Sequence, residues 1–429
     1  MRGTELFGAL RERQFRLLWL GQTTSTLGDG LVPVALAFAV IKTLDGTPTE
    51  LGLVLAAETV PLVLFVLVGG VWADRLPRQM VMLVSDVIRG AVQATAAVLL
   101  LSGTAEIWHL AVLFAIYGTA DAFFQPAATG LVPATVSPQR LQQANALLGL
   151  SRSSAFVAGP AIAGVVAAVA NPGTVFVVDA VTFAVSATSL ALLRLPRGRR
   201  QGERHSFFAD LKGGWHELVS HTWLWVIVVW ASTFLCIVIA PFLTLGPVIA
   251  EQSLGGPVAW GMIAAGFGAG SLCGGFLALR WKPERPMLVC SLLSLCIAPA
   301  MALLALRAPA ILIAVAQVAG GLGMGFFGAV WQTTLQQHVP EESLSRVSAW
   351  DWMGSFAFLP LGLILAGPVS DAIGISTTLW ISVGYLIVST LAVLLVPSVR
   401  NLRRLDEPEP TPDAALPALT GEPLEVFHG

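Results

Sequence analysis

The side chains of this sequence that could do chemistry are few, and they stand in unusual surroundings. Asp29, Glu58, Asp86, Arg89, Asp121, Arg152, Asp179 and Asp351 all lie within long apolar stretches. An ionisable group at membrane depth costs about 2.5–3.5 kcal/mol on insertion scales, so it persists where it moves a proton, meets a partner or recognises a charge. Asp29, between Gly28 and Gly30, reads either as a carboxylate for proton exchange or cation recognition, or as the polar filling of a helix break. Glu58, three residues before Pro61, could take up a proton or make a hydrogen bond inside the protein. Asp121 reads as a substrate or proton site, or as the partner of Arg75 in a gate. Arg152 reads as a contact for an anionic substrate or as half of an internal ion pair. Asp86 and Arg89, one helical turn apart, form a local pair. Asp179 reads as structural and Asp351 as part of a gate.

Other chemistries find no support. No Ser/Lys or His/Asp grouping occurs within the apolar stretches, so an enzyme is not expected. No Walker motif is present, and ATP is not expected to drive the chain directly. GFGAGSLCGG (266–275) has no following lysine-serine pair; its glycines at 266, 270 and 274 recur every four residues, as close helix packing requires. The six histidines lack metal spacing. Cys236, Cys273, Cys290 and Cys296 are expected to be inert buried thiols. No cofactor, metal or nucleic-acid partner is expected. Trp19, Trp108, Trp223 and Trp380 fall near the ends of apolar runs and read as interfacial anchors.

The elements that position these groups follow from composition. The 429 residues are 55% hydrophobic and only 12% charged, against roughly 25% charged in soluble domains. Mean hydropathy is +0.77. A membrane-crossing helix needs about 20 apolar residues, and such runs recur. Spans are expected at 17–41, 50–72, 80–101, 107–131, 142–168 and 174–194, then at 223–250, 258–279, 287–305, 310–335, 346–368 and 376–397. The first is expected to be retained rather than cleaved as a signal peptide. All but four of the 24 lysines and arginines fall on the side of the N-terminus; Lys42 and Arg307 lie opposite, Arg89 and Arg152 inside spans. Positive residues mark the cytoplasmic face, so both termini are expected there, in a multi-pass protein of the cytoplasmic membrane. The expected organisation is a six-helix bundle at 1–194, a basic linker at 195–222, a second bundle at 223–397 and a Pro- and acid-rich disordered tail at 398–429.

The halves echo each other. GGVWADRLPRQM (69–80) aligns with GGFLALRWKPERPM (274–287), Gly70 on Gly275 and Arg75 on Arg280, while Asp74 becomes Leu279. YGTADAFF (117–124) aligns with GGLGMGFF (320–327), and VSPQRLQQAN (136–145) with VPEESLSRVS (339–348). Gly159-Pro160 recurs as Gly367-Pro368. Repeats of this kind place a substrate site near the bilayer midplane between halves.

Gly70, Asp74, Arg75 and Arg78 resemble the signature of the major facilitator superfamily in the connection between spans 2 and 3, with Pro77 where glycine is usual. ADRLPR, FRLLWLGQTTSTLGDG, QANALLGLSRSSAFVAGPAIAG and VFVVDAVTFAVSA resemble a branch that includes enterobactin exporters and macrolide or multidrug efflux proteins. Gly159, Pro160 and Gly164 resemble the antiporter motif of span 5, with Gly164 one residue late. The arginine usual in span 4 is absent, Phe114 standing in its place, and Arg152 is a candidate substitute.

The resemblance implies an all-α major-facilitator fold of about twelve helices in two pseudo-symmetric bundles, alternating access driven by an ion gradient, and a cavity lined by spans 1, 4, 7 and 10. It also implies a latch in the outward-open state, Asp74 meeting the N-terminal end of span 11 near 343–346 and Arg75 reaching Asp121. The expected function is proton-coupled export of small amphipathic molecules of drug or siderophore type. Its partners are the small-molecule substrate, protons and the lipid bilayer, and a monomer is compatible with it. The alternatives are an importer or lysophospholipid-type carrier of the same fold, or a membrane sensor that transports nothing.

Overall fold

The computed structural model describes residues 8–195 and 207–405; at 67–75, 207–212, 341, 342 and 345 it describes the backbone alone. Twelve helices among these residues are long and apolar enough to cross a membrane. They are spans 1 (Arg13–Thr43), 2 (Pro48–Val66), 3 (Arg78–Ser102), 4 (Ile107–Ala134), 5 (Pro138–Val169), 6 (Gly173–Ala191), 7 (Thr222–Leu254), 8 (Pro257–Arg280), 9 (Pro286–Ala305), 10 (Ala310–His338), 11 (Arg346–Ile373) and 12 (Ile375–Leu395). In hydrocarbon each backbone N–H and C=O must be paired internally, which selects helices. Proline begins several of them, where its missing N–H costs nothing. Gly255 and Gly256, at φ +99° and +76°, turn the chain sharply between spans 7 and 8.

Two features depart from the expectations. The charged segment after span 2 is not a loop: the helix runs from Pro48 to Arg75 and the next begins at Arg78. Gly70, Asp74 and Arg75 thus ride on helix, and Pro77, which disfavours helix in the residue before it, confines the turn. The linker carries its own helix, Phe207–Ser220. It packs on the helix Glu341–Phe356 that opens span 11, with the Trp215 and Trp350 rings 5.0 Å apart and Gly214 against the Arg346 backbone.

Spans 1 to 6 pack among themselves, as do spans 7 to 12, and two seams join the bundles: span 5 on span 8, and span 2 on span 11. The repeat is visible at atomic detail. Gly118 of span 4 lies directly against the carbonyl of Glu58 in span 2, and Gly321 of span 10 lies against the carbonyl of Phe267 in span 8. Any side chain at either glycine would force the helices apart.

Both seams are closed at one end. Gly164 abuts Pro257 and Gly261, Gly261 abuts Pro160, Gly52 abuts Leu363 and Gly367 abuts Thr49. Toward the other end, Gly149 of span 5 and Gly275 of span 8 have nothing within 4 Å of where a side chain would begin. That open end is the one where span 1 starts: Glu12, just before it, accepts hydrogen bonds from the Ser137 N–H (2.9 Å) and hydroxyl (2.7 Å) at the start of span 5, and lies 3.3 Å from Arg140. These bonds, Ser137's foremost, hold the Glu12 carboxyl below the usual glutamate range.

Candidate functional site

Span 1 breaks where its sequence is weakest as helix. One segment ends at Asp29 and the next begins at Val32. The exposed backbone is satisfied locally, Gly30 N–H to Thr26 O at 3.0 Å and Leu31 N–H to Gly28 O at 2.8 Å. The glycines make room for neighbours: Gly30 and Gly159 touch backbone to backbone, and Gly28 lies against the Asp179 carboxylate of span 6.

At this break the charged groups of the N-terminal bundle gather around Arg89. Its Nη2 donates to Asp86 Oδ1 at 2.6 Å and its Nη1 to Asp121 Oδ1 at 3.0 Å, with Asp29 Oδ2 3.9 Å away. The guanidinium lies over the rings of Phe124 (4.1 Å) and Phe183 (4.6 Å), contacts that suit a weakly hydrated planar cation. Tyr117 donates to Asp29 Oδ1 at 2.5 Å. Ser186 donates to Asp86 Oδ2 at 2.6 Å, and Gln93 to Asp179 Oδ2 at 2.7 Å. Gln125 reaches Asp121 only at 3.5 Å.

The cluster has a fixed and an accessible part. Asp86 is 0% exposed and Arg89 2%, whereas Asp121 is 19% and Asp29 33% exposed. Glu58 is half-buried and its side chain has no hydrogen bond to any described residue. Asp29, Asp86 and Asp121 therefore share one arginine, and Asp179 and Glu58 add two further acids in the same bundle without contacting it. With all five ionised the cluster carries a large negative excess in a low-dielectric region, where unpaired charge is costly.

Several sequence expectations change here. Asp121 is paired with Arg89; the side chains of Asp74 and Arg75, and with them the expected latch, lie outside the described residues. Arg78 donates to Gly130 O at 2.7 Å, tying span 3 to span 4. Arg152 makes neither the expected internal ion pair nor any hydrogen bond with a described residue, and it is exposed. Asp351 is buried at 8% exposure, and its Oδ2 accepts from the Trp331 indole at 2.9 Å. Trp223 is no interfacial anchor: it is 5% exposed and packs edge-on to Trp331 at 5.7 Å. Of the four cysteines only Cys290 is buried, and Cys273 is exposed. The organising role of Arg89 was hidden by its near neighbour Asp86, which satisfied it on paper; Tyr117, one of only two tyrosines, was the available signal for a polar partner in span 4.

A family model for the Major Facilitator Superfamily matches residues 18–362. Macrolide efflux protein A of Streptococcus pyogenes is 22% identical over 399 residues, covering 92% of this chain and 97% of that protein. The multidrug efflux pump Tap of Mycolicibacterium fortuitum is 26% identical over 408 residues, covering 91% and 98%. Among solved structures, a bacterial homologue of the human lysosomal transporter Spinster, inward-facing and occupied, superposes with a TM-score of 0.70 at 16% identity, covering 93% of this chain and all of that one. The nucleoside transporter NupG superposes at 0.69 with 15% identity, covering 89% and 98%.

Proposed function

The chain belongs to the Major Facilitator Superfamily, and from that premise we propose that it exports small amphipathic molecules from the cytoplasm in exchange for protons. The observation that carries this reading is the excess of acids gathered around Arg89 in the N-terminal bundle, with Asp29 and Asp121 on its accessible side and Glu58 half-buried nearby. Export rather than import is supported by relatives of nearly full length that are macrolide and multidrug efflux proteins. The arginine-rich side of the chain supports cytoplasmic termini in the cytoplasmic membrane. The bundles at 1–194 and 223–397 are the two rocking bodies, joined by 195–222 and followed by the tail at 398–429.

In this reading substrate enters through the end at which Gly149 and Gly275 stand apart. Asp29 and Asp121 compete for Arg89. A proton on Asp29 removes its charge and leaves the guanidinium to Asp86 and Asp121; its departure to the cytoplasm restores a carboxylate that attracts a cationic or polarised substrate. Proton and substrate thus share one set of carboxylates, and a gradient of one shifts the population of states available to the other. Pro160 and Gly164 hold the closed end of the span 5–8 seam that must part, Gly159 seats span 5 on Gly30 of span 1, and Gly70, Asp74, Arg75 and Arg78 are assigned to the switch at the opposite end.

The test is ethidium or erythromycin transport in inverted membrane vesicles acidified inside. Uptake should require the pH gradient and fall at least about tenfold, roughly 1.4 kcal/mol, in Asp29→Asn and in Glu58→Gln, with protein levels unchanged. Gradient-dependent uptake at wild-type rates in both variants would remove the coupling assignment. Transport in the reverse direction would favour an importer.

A further inference from the structure

Away from the acid cluster, spans 5 and 8 diverge to leave a crevice of about 480 Å³. Arg152, Ser153 and Phe156 line it on span 5; Gly268, Leu272, Phe276 and Leu279 are among its residues on span 8. Phe156 is 50% exposed, Phe276 66% and Leu279 72%. Apolar side chains so exposed on two membrane helices suit contact with lipid. Arg152 stands among them with no described partner.

We propose that this crevice binds one acidic phospholipid from the leaflet on the side of residue 8, its phosphate held by Arg152 and an acyl chain lying between the two spans. Three observations support it. An arginine within a span needs an anion or an exit to the surface. Helical side chains lean toward the helix N-terminus, which for span 5 is the end nearest residue 8, so Arg152 leans toward the headgroups of that leaflet. The crevice runs along span 8 from Gly268 to Leu279, about 16 Å at 1.5 Å per residue, close to the roughly 15 Å half-thickness of a hydrocarbon core. A basic pocket between helices at this level suits an anionic headgroup, and the walls suit the chain attached to it.

The occupant has a consequence for movement. Gly149 and Gly275, in the open part of the seam, are the positions where spans 5 and 8 can approach when that end closes. A lipid chain in the crevice keeps them apart, so the acidic lipid favours the conformation described here.

Lipid binding can be read without any transport, so failure of this inference and failure of the transport reading are separate results. The full-length protein in detergent is titrated with phosphatidylglycerol, phosphatidylcholine or glycerol 3-phosphate, and bound lipid is counted by native mass spectrometry. Phosphatidylglycerol should bind at least about tenfold more tightly than phosphatidylcholine. Arg152→Gln should bring that ratio near one, and Arg152→Lys should retain most of it. Phe276→Trp, which narrows the crevice and keeps the arginine, should weaken both lipids together and serves where Arg152→Gln fails to fold. Equal binding of the two lipids by the wild type would overturn the proposal. So would a preference unchanged in Arg152→Gln, lipid binding unchanged in Phe276→Trp, or displacement of phosphatidylglycerol by an equal concentration of glycerol 3-phosphate.

Discussion

The two bundles share a scaffold and differ in what it carries. Gly118 against Glu58 and Gly321 against Phe267 are the same backbone approach made twice. In the first half that contact is surrounded by acids; in the second, the register that sets Gly118 on Gly321 sets Asp121 on Met324, and continuing Met80 on Met287 sets Arg89 on Cys296. Spans 8 and 10 extend the glycine contacts instead, Gly270 against Val318, Gly274 against Leu322 and Gly325 against Ser271. Around them Trp230, Phe234, Phe327 and Trp331 form a run of stacked and tilted rings. Helix approach is therefore a requirement of the fold in both halves, whereas a cluster of acids around an arginine is a property of one, the second half burying, among its described residues, Asp351 alone against Trp331. In the proposed reading the charged side handles protons and the other offers a firm apolar wall.

Removing Arg89 strikes hardest at this contrast. Arg89→Met strands Asp86 and Asp121 and should cost about 3–5 kcal/mol, seen as a large drop in the thermal midpoint or in folded yield; Cys296→Ala, at the corresponding place, should cost far less. Equal losses would mean that the two bundles are not so different. Gly118→Leu and Gly321→Leu should each cost about 1–3 kcal/mol through overpacking, and similar unfolding shifts in the two would sharpen the shared-scaffold half of the comparison. A variant that tolerates leucine at one site alone would break it.

Smaller effects probe the margins. Glu12→Gln loses the charge that accepts from Ser137 and should cost about 1 kcal/mol at neutral pH. Because the folded carboxyl is held below the ordinary value of 4.5, that stability is present above 4.5 and disappears as pH falls through the lowered value. The difference between wild type and variant should therefore vanish in acid unfolding experiments. Asp351→Asn keeps an acceptor for the Trp331 indole and should change stability by well under 1 kcal/mol and leave the pH dependence of transport intact. Loss of that dependence would spread proton coupling to both halves.

Most of the architecture was legible because apolar length and glycine or proline punctuation fix helices in lipid: the expected 107–131 and 287–305 are the observed Ile107–Ala134 and Pro286–Ala305. The linker helix was missed although Phe207, Leu211, Trp215 and Leu218 recur at helical spacing; Gly213 and Gly214, poor helix formers, masked it, and only contact with Arg346 shows why they are small. The acids of the site were visible as charges in apolar runs. Their mutual arrangement was not, since periodicity gives the face of one helix and never which other helix it meets. Arg152 failed for the same reason: being inside a span suggested an acid partner, while its face looks outward.

The linker helix seated on span 11 alters how the two bodies are leashed. Because it packs on the helix that opens span 11, it travels with the second bundle, so the part of the chain that moves with that bundle begins at Phe207 and not at span 7. Splitting the chain ahead of Phe207 and supplying the halves as separate polypeptides should leave a pair whose assembly depends on concentration, whereas a split after Ser220 should strip the second bundle of its packed helix and lower its stability.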